Sequence, residues 1–178
     1  KKIEDDLARR RAGYNGEKAN DYFAALLPED YYIFHDLRLA NGKSFFQMDT
    51  LLISANYMAV NEVKSYSGTL FFDRHAYQLT RTYNEKQECY QDPITQVENQ
   101  MRQLKKWLFA HNSPQVPIDY LVTISNPKTL LTTNPGKHSI FERVCHSYRL
   151  QNRVENFENM YKEEKLPLKT LRRLNRQL

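Results

Sequence analysis

Residues 47–68, QMDTLLISANYMAVNEVKSYSG, restrict the possible folds more than any other stretch of the chain. Two apolar runs flank a short polar break, Ser54-Ala55-Asn56, which has the length of a hairpin connection. The first run carries Asp49 and the second carries Glu62-Val63-Lys64. Side chains alternate along a strand, so Glu62 and Lys64 share one face while Val63 points into the other layer. Antiparallel pairing of the two runs brings Asp49 beside Glu62. Two carboxylates and one lysine among apolar neighbours are costly unless a cation compensates them. A hard divalent ion with oxygen ligands meets that need.

The flanking sequence supplies layers for such a sheet. Ala19, Tyr22, Phe23, Leu26 and Leu27 recur at helical spacing, so 14–27 reads as a helix with Glu17 in its first turn and Pro28 as its stop. Residues 31–39 are aromatic and β-branched, Asn41-Gly42 is a tight turn, and 45–53 and 57–64 are the second and third strands. A small hairpin is expected over 70–73 and 77–83. Asp92-Pro93 then caps and opens a helix whose apolar positions run Ile94, Val97, Met101, Leu104, Trp107, Leu108. After that crossover, 118–125 is nearly continuously apolar, as in a strand buried on both faces and paired in parallel at the sheet centre. Residues 129–137 read as a loop, 141–150 as a strand or a short helix, and 153–165 as a helix. Leu168, Leu171, Leu174 and Leu178 alternate with basic residues, as in a basic amphipathic helix over 166–178. The fold class expected is α/β, a mixed central β-sheet flanked by helices.

Composition excludes several functions. At 178 residues the chain suits one domain with an appendage, and 40% apolar content excludes a disordered polymer. Cys89 and Cys145 are far apart and lack ligand spacing, which gives no support to a cysteine zinc site or a disulfide framework. Two unpaired thiols point to a reducing, cytoplasmic setting. No apolar stretch approaches the ~20 residues of a spanning helix. No signal peptide is visible at Lys1, and a trimmed upstream segment stays open. Basic residues outnumber acidic ones 26 to 21, which is compatible with a polyanionic partner.

Gly13-x-x-Gly16-Glu17, Gln47-Met48-Asp49, Asn61-Glu62-Val63-Lys64 and Pro93-x-x-Gln96, in that order, resemble the nuclease-related domain (NERD) family of the PD-(D/E)xK superfamily, over residues 12–125. Many superfamily members have proline where this chain has Met48, but Gln-x-Asp suits NERD. The resemblance implies a restriction-endonuclease-like core and a metal-dependent nuclease. It places Glu17, Asp49, Glu62 and Lys64 in the catalytic site with Gln96 as an accessory. Asp49, Glu62, the backbone carbonyl of Val63 and Glu17 are the expected ligands of Mg²⁺ or Mn²⁺. The expected division is a charged lead-in over 1–12, the nuclease-like domain over 13–150 and a basic helical extension over 151–178.

The expected partner is DNA, with RNA left open. Arg74, Arg81, Lys86, Arg102, Lys105 and Lys106 are candidate phosphate contacts, and Ser65, Tyr66 and Ser67 candidate lining of the cleft. No recognition helix or finger is present, so sequence selectivity is expected to be weak. A homodimer, or a further domain against the C-terminal helix, stays open. The rival reading keeps the fold without catalysis, as a nucleic-acid-binding or interaction module.

Overall fold

Strand-forming sequence dominates from residue 32 to residue 64, and it folds as a meander. The computed structural model describes residue 18 and residues 20–178. β1 (Tyr32–Asn41), β2 (Ser44–Ile53) and β3 (Met58–Lys64) pair antiparallel in chain order. Gly42 takes φ +65 in the first turn. In the second, the Ser54 hydroxyl accepts from the N–H groups of Asn56 and Tyr57 and donates to the Tyr57 carbonyl. The connection thereby satisfies its own backbone and fixes the register that follows.

α1 (Pro93–Ala110) crosses over the sheet, and β7 (Ile118–Ile124) returns parallel to β3, from Met58↔Ile118 to Lys64↔Ile124. β9 (Val144–His146) adds in parallel beyond it, giving the order β1-β2-β3-β7-β9. β3 and β7 are almost wholly buried, and the polar Asn61, Glu62, Asp119 and Thr123 are buried with their apolar neighbours. Asp92 starts α1 by accepting from the N–H groups of Ile94 and Thr95, with Pro93 in the first turn. The same carboxylate holds Arg74 at 2.8 Å, tying the helix start to the neighbouring hairpin.

One face of α1 buries Ile94, Val97, Leu104, Trp107 and Leu108 against the sheet. Full burial of such side chains contributes on the order of 1.5–3 kcal/mol each, which holds this layer in place. On the opposite face, Ala24 and Leu27 of the N-terminal segment and Leu150, Val154 and Phe157 of α2 (Leu150–Met160) pack on Leu52, Tyr57, Ala59 and Leu121. The architecture is the expected α/β sandwich, consistent with a restriction-endonuclease-like fold. No helix among the described residues is long and apolar enough to cross a membrane. Cys89 and Cys145 are both free thiols, the first exposed and the second buried.

A second sheet departs from expectation. It orders β6 (Lys86–Gln91), β5 (Gln78–Tyr83), β4 (Thr69–Asp73) and β8 (Leu130–Thr133). The hairpin expected over 70–83 gains β6, whose KQECYQ sequence is mostly exposed and so carries no period-2 apolar signal. Residues 130–133, within the stretch read as a loop, pair in parallel with β4. The stretch over 141–150 resolves into short 3-10 turns around β9. The later helices are α2, earlier and shorter than expected, and α3 (Leu168–Gln177).

Gly68 joins the two sheets at φ +95, and a Cβ there would lie 2.2 Å from the Thr82 carbonyl oxygen. Both the backbone conformation and the contact exclude a side chain. Gly68→Ala is predicted to destabilise the chain by about 1–3 kcal/mol in urea denaturation. An unchanged midpoint would mean that this junction carries no such constraint.

Candidate active site

β1 and β2 break their side-chain alternation at the same place. Along β1, Tyr32 and Phe34 and then Leu37 and Leu39 pack into the core on the α1 side. Along β2, Phe46 and Met48 and then Leu51 and Ile53 do the same. Even positions give way to odd ones in both strands. The switch falls at Asp36, with φ +50, and at Asp49, which the register sets opposite it between the pairs His35↔Thr50 and Leu37↔Met48. Such local breaks bend a strand and re-aim a side chain. The β2–β3 ladder reaches Thr50↔Asn61 and goes no further. One step on, Asp49 accepts the backbone N–H of Val63 through Oδ2 at 2.8 Å. A side-chain carboxylate there replaces the lost ladder bond and anchors Asp49 beside the Glu-x-Lys segment.

Glu62 and Lys64 face α1, as the strand period requires. The Glu62 side chain is only 2% exposed. Its Oε1 accepts from Lys64 Nζ at 2.6 Å and from Gln96 Nε2 at 2.6 Å. Its Oε2 accepts from Gln100 Nε2 at 2.7 Å. Gln96 closes a triangle, because its Oε1 accepts from Lys64 Nζ at 3.1 Å. An exposed surface ion pair is therefore excluded for Glu62 and Lys64. Burial acts to lower the Lys64 pKa, but the Glu62 carboxylate outweighs it and holds the ammonium above the ordinary lysine value. Lys64 is thus a cation at neutral pH.

Gln100 escaped the sequence reading, although it lies one helical turn after Gln96 on the same face of α1. That spacing was the available signal. Its Oε1 is buried with no hydrogen-bond partner among the described residues, and its Nε2 is the end that the Glu62 carboxylate holds.

Asn20 is the second residue missed. It is fully buried on the other face of the sheet, where its Oδ1 accepts from Asn61, Thr123 and Ser147. This knot fastens the N-terminal helical segment to the two central strands. Glu17 lies outside the described residues.

A cleft of about 240 Å³ opens on Asp49, lined also by Lys18, Asp21, His35, Asp36, Thr50 and Val63. His35 pairs with Asp21 at 2.8 Å there. Among the described residues, no three His, Cys, Asp or Glu side chains are grouped so as to hold a metal ion. Asp49 borders this cleft, whereas the oxygens of Glu62 face α1 and take Lys64, Gln96 and Gln100 as donors. On the other flank, Tyr66 stacks at 4.9 Å on Tyr90, and Arg81 lies over Tyr66 while donating to the Ser67 carbonyl. Of the expected cleft lining, Tyr66 and Ser67 thus engage the second sheet.

Removing the ammonium would strand a buried carboxylate. Lys64→Met is predicted to cost about 3 kcal/mol at neutral pH, the low end of the range because Lys64 is partly exposed. Urea denaturation checks it. The gap to the wild type should close in Glu62→Gln/Lys64→Met, which removes the stranded charge. A gap that persists in the double variant would point to lost packing instead.

No curated protein and no solved structure matches the chain. A family model does, that of the nuclease-related domain, over residues 12–125. The matched span includes β1 to β7, α1 and every side chain of the Glu62 cluster. It covers well over half of the sequence, and the chain belongs to the nuclease-related domain family.

Proposed function

We propose that the chain is a divalent-metal-dependent nuclease that hydrolyses phosphodiester bonds in DNA with weak sequence selectivity. The observation that carries this reading is the buried Glu62–Lys64–Gln96 triangle beside an Asp49 anchored on the Val63 N–H. Family membership makes a nucleic acid the natural substrate.

The donor set fits a hard cation in charge and chemistry. Lys64 pairs with Glu62 and also feels the charge of Asp49, and carboxylate oxygens suit Mg²⁺ or Mn²⁺. Asp49, Glu62 and the Val63 carbonyl would hold it, with Glu17 as a further ligand. When bound, such an ion lowers the pKa of water and draws charge from phosphate oxygens. Lys64 enters the reaction as a cation, so it neutralises charge on the phosphate or orients water and does not itself take up a proton. Gln96 keeps the ammonium aligned with Glu62, and Gln100 keeps the carboxylate from rotating. We place this activity in the cytoplasm, where thiols such as Cys89 stay reduced. We assign it to 13–150, with 1–12 as lead-in and 151–178 as extension.

A non-catalytic nucleic-acid-binding or interaction module is the second reading. It is favoured by the hydrogen bonding of Glu62, whose two oxygens already have three donors. Cleavage of linear, circular and single-stranded DNA by the purified chain with Mn²⁺, Mg²⁺ or EDTA separates the two. The expected result is metal-dependent cutting, reduced about 10²-fold or more in Asp49→Ala and in folded Lys64→Ala. Undiminished cutting by Asp49→Ala would falsify the assignment. A folded wild type that never cuts favours the module.

A further inference from the structure

The net charge of the chain resides in one segment. Residues 165–178 contain Lys165, Lys169, Arg172, Arg173 and Arg176 and no acid, while the remainder balances at 21 basic against 21 acidic residues. Lys165 pairs with Glu163. The other four lie on α3, are exposed, and form no ion pair among the described residues. Among the described residues, their side chains make one polar contact, a long one from Arg173 to the Asn112 carbonyl. With Leu168 and Thr170 they line a surface hollow of about 600 Å³ that shares no residue with the Asp49 cleft.

This arrangement is costly to the helix. Lys169–Arg172, Lys169–Arg173, Arg172–Arg176 and Arg173–Arg176 are like-charge pairs three or four residues apart, each mildly repulsive. The helix has no side-chain N-cap and no acid in its first turn. It is held by Leu171 and Leu174, buried in the core, and by the preceding chain, where Lys165 and Leu166 donate to the Ala55 carbonyl. The apolar stripe is therefore already used. Leu168 is the one apolar side chain of α3 left largely exposed, which leaves little to insert into a lipid surface. What α3 presents outward is charge, three quarters of it as guanidinium forks that match phosphate oxygens.

We propose that the Lys169–Arg172–Arg173–Arg176 face of α3 is a second nucleic-acid contact, which binds the phosphate backbone without reading its sequence. It rests on the nucleic-acid ligand of the proposed function but not on catalysis. α3 packs where β3 begins and α1 ends, at Ala55 and Asn112, whereas Lys64 and Gln96 lie at the opposite ends of those elements. Seven strand residues or eighteen helical ones separate the two places by about 25 Å. The face thus adds grip away from the scissile site.

Anisotropy of a labelled duplex oligonucleotide, titrated with the 178-residue chain in EDTA at several salt concentrations, tests this without cleavage. Lys169→Gln/Arg172→Gln/Arg176→Gln should weaken binding about tenfold or more and flatten the log K against log [salt] slope by about two to three. Lys43→Gln/Lys137→Gln/Lys162→Gln, of equal charge change on exposed lysines elsewhere, should do neither. An unchanged α3 variant, or an equal loss in the control, overturns the proposal. So does α3-dependent binding of phosphatidylserine vesicles in place of the duplex. A wild type that binds through α3 yet never cuts with any metal overturns the nuclease reading and leaves this one standing.

Discussion

The buried carboxylate of Glu62 determines how the central strand and α1 must meet. A charge this far from water is tolerated only where its oxygens are filled by donors of good geometry. The donors come from Lys64 on the same strand and from Gln96 and Gln100, one turn apart on α1. The helix can therefore neither slide nor rotate over β3 without breaking bonds to a charge, each worth about 1.5–3 kcal/mol. Apolar burial by Ile94, Val97 and Leu104 supplies the attraction between the layers, but it is non-directional. The polar triangle supplies the register. Asp92 adds a fixed origin, capping the helix and binding Arg74 at once.

The same economy appears on the other side of the sheet. Asn20 occupies the facing layer with three donors on one amide oxygen, so the N-terminal segment is registered by hydrogen bonds as α1 is. The central strands β3 and β7 supply Asn61 and Thr123 to this knot, and β3 supplies Glu62 to the other. Alternation along β3 lets adjacent residues serve opposite layers, and this is how a single strand aligns both helical faces around one site.

Much of this was legible in the sequence, and what was not has physical causes. Asp49 and Glu62-Val63-Lys64 could be placed because period-2 alternation in apolar runs is a strong signal and the polar break at 54–56 sets a hairpin. The Asp92-Pro93 start of α1 was legible because capping is local chemistry. β6 was not, because an exposed edge strand such as KQECYQ buries nothing that would impose a period. β8 is made by pairing with β4, a tertiary contact that four residues cannot announce. The break at Asp36 and Asp49 was invisible for another reason. An aspartate tolerates positive φ without requiring it, so the switch in alternation is decided by which residues reach the core on each side. Gln100 lay within reach of helical spacing from Gln96. A glutamine on a mostly polar helix reads as surface until the partner across the layer is known to be a buried acid.

That switch explains why the site sits where it does. In a regular pair of strands, Asp49 would be either pressed into the α1-side core or turned to the other layer. Here the alternation changes hand at its position, and its carboxylate lies along the sheet to take the Val63 N–H. The two acids are then held differently. Asp49 accepts a neutral backbone donor and borders an open cleft, while Glu62 is enclosed by an ammonium and two amides. In the proposed chemistry a cation would approach from the Asp49 cleft and would compete with Lys64 and Gln96 for the shared Oε1 of Glu62. Of those two, Gln96 is the easier to displace, because it is neutral and its loss leaves the ion pair intact. The triangle that registers α1 on the sheet is in this way also the element that would have to yield, by one amide, when the site is filled.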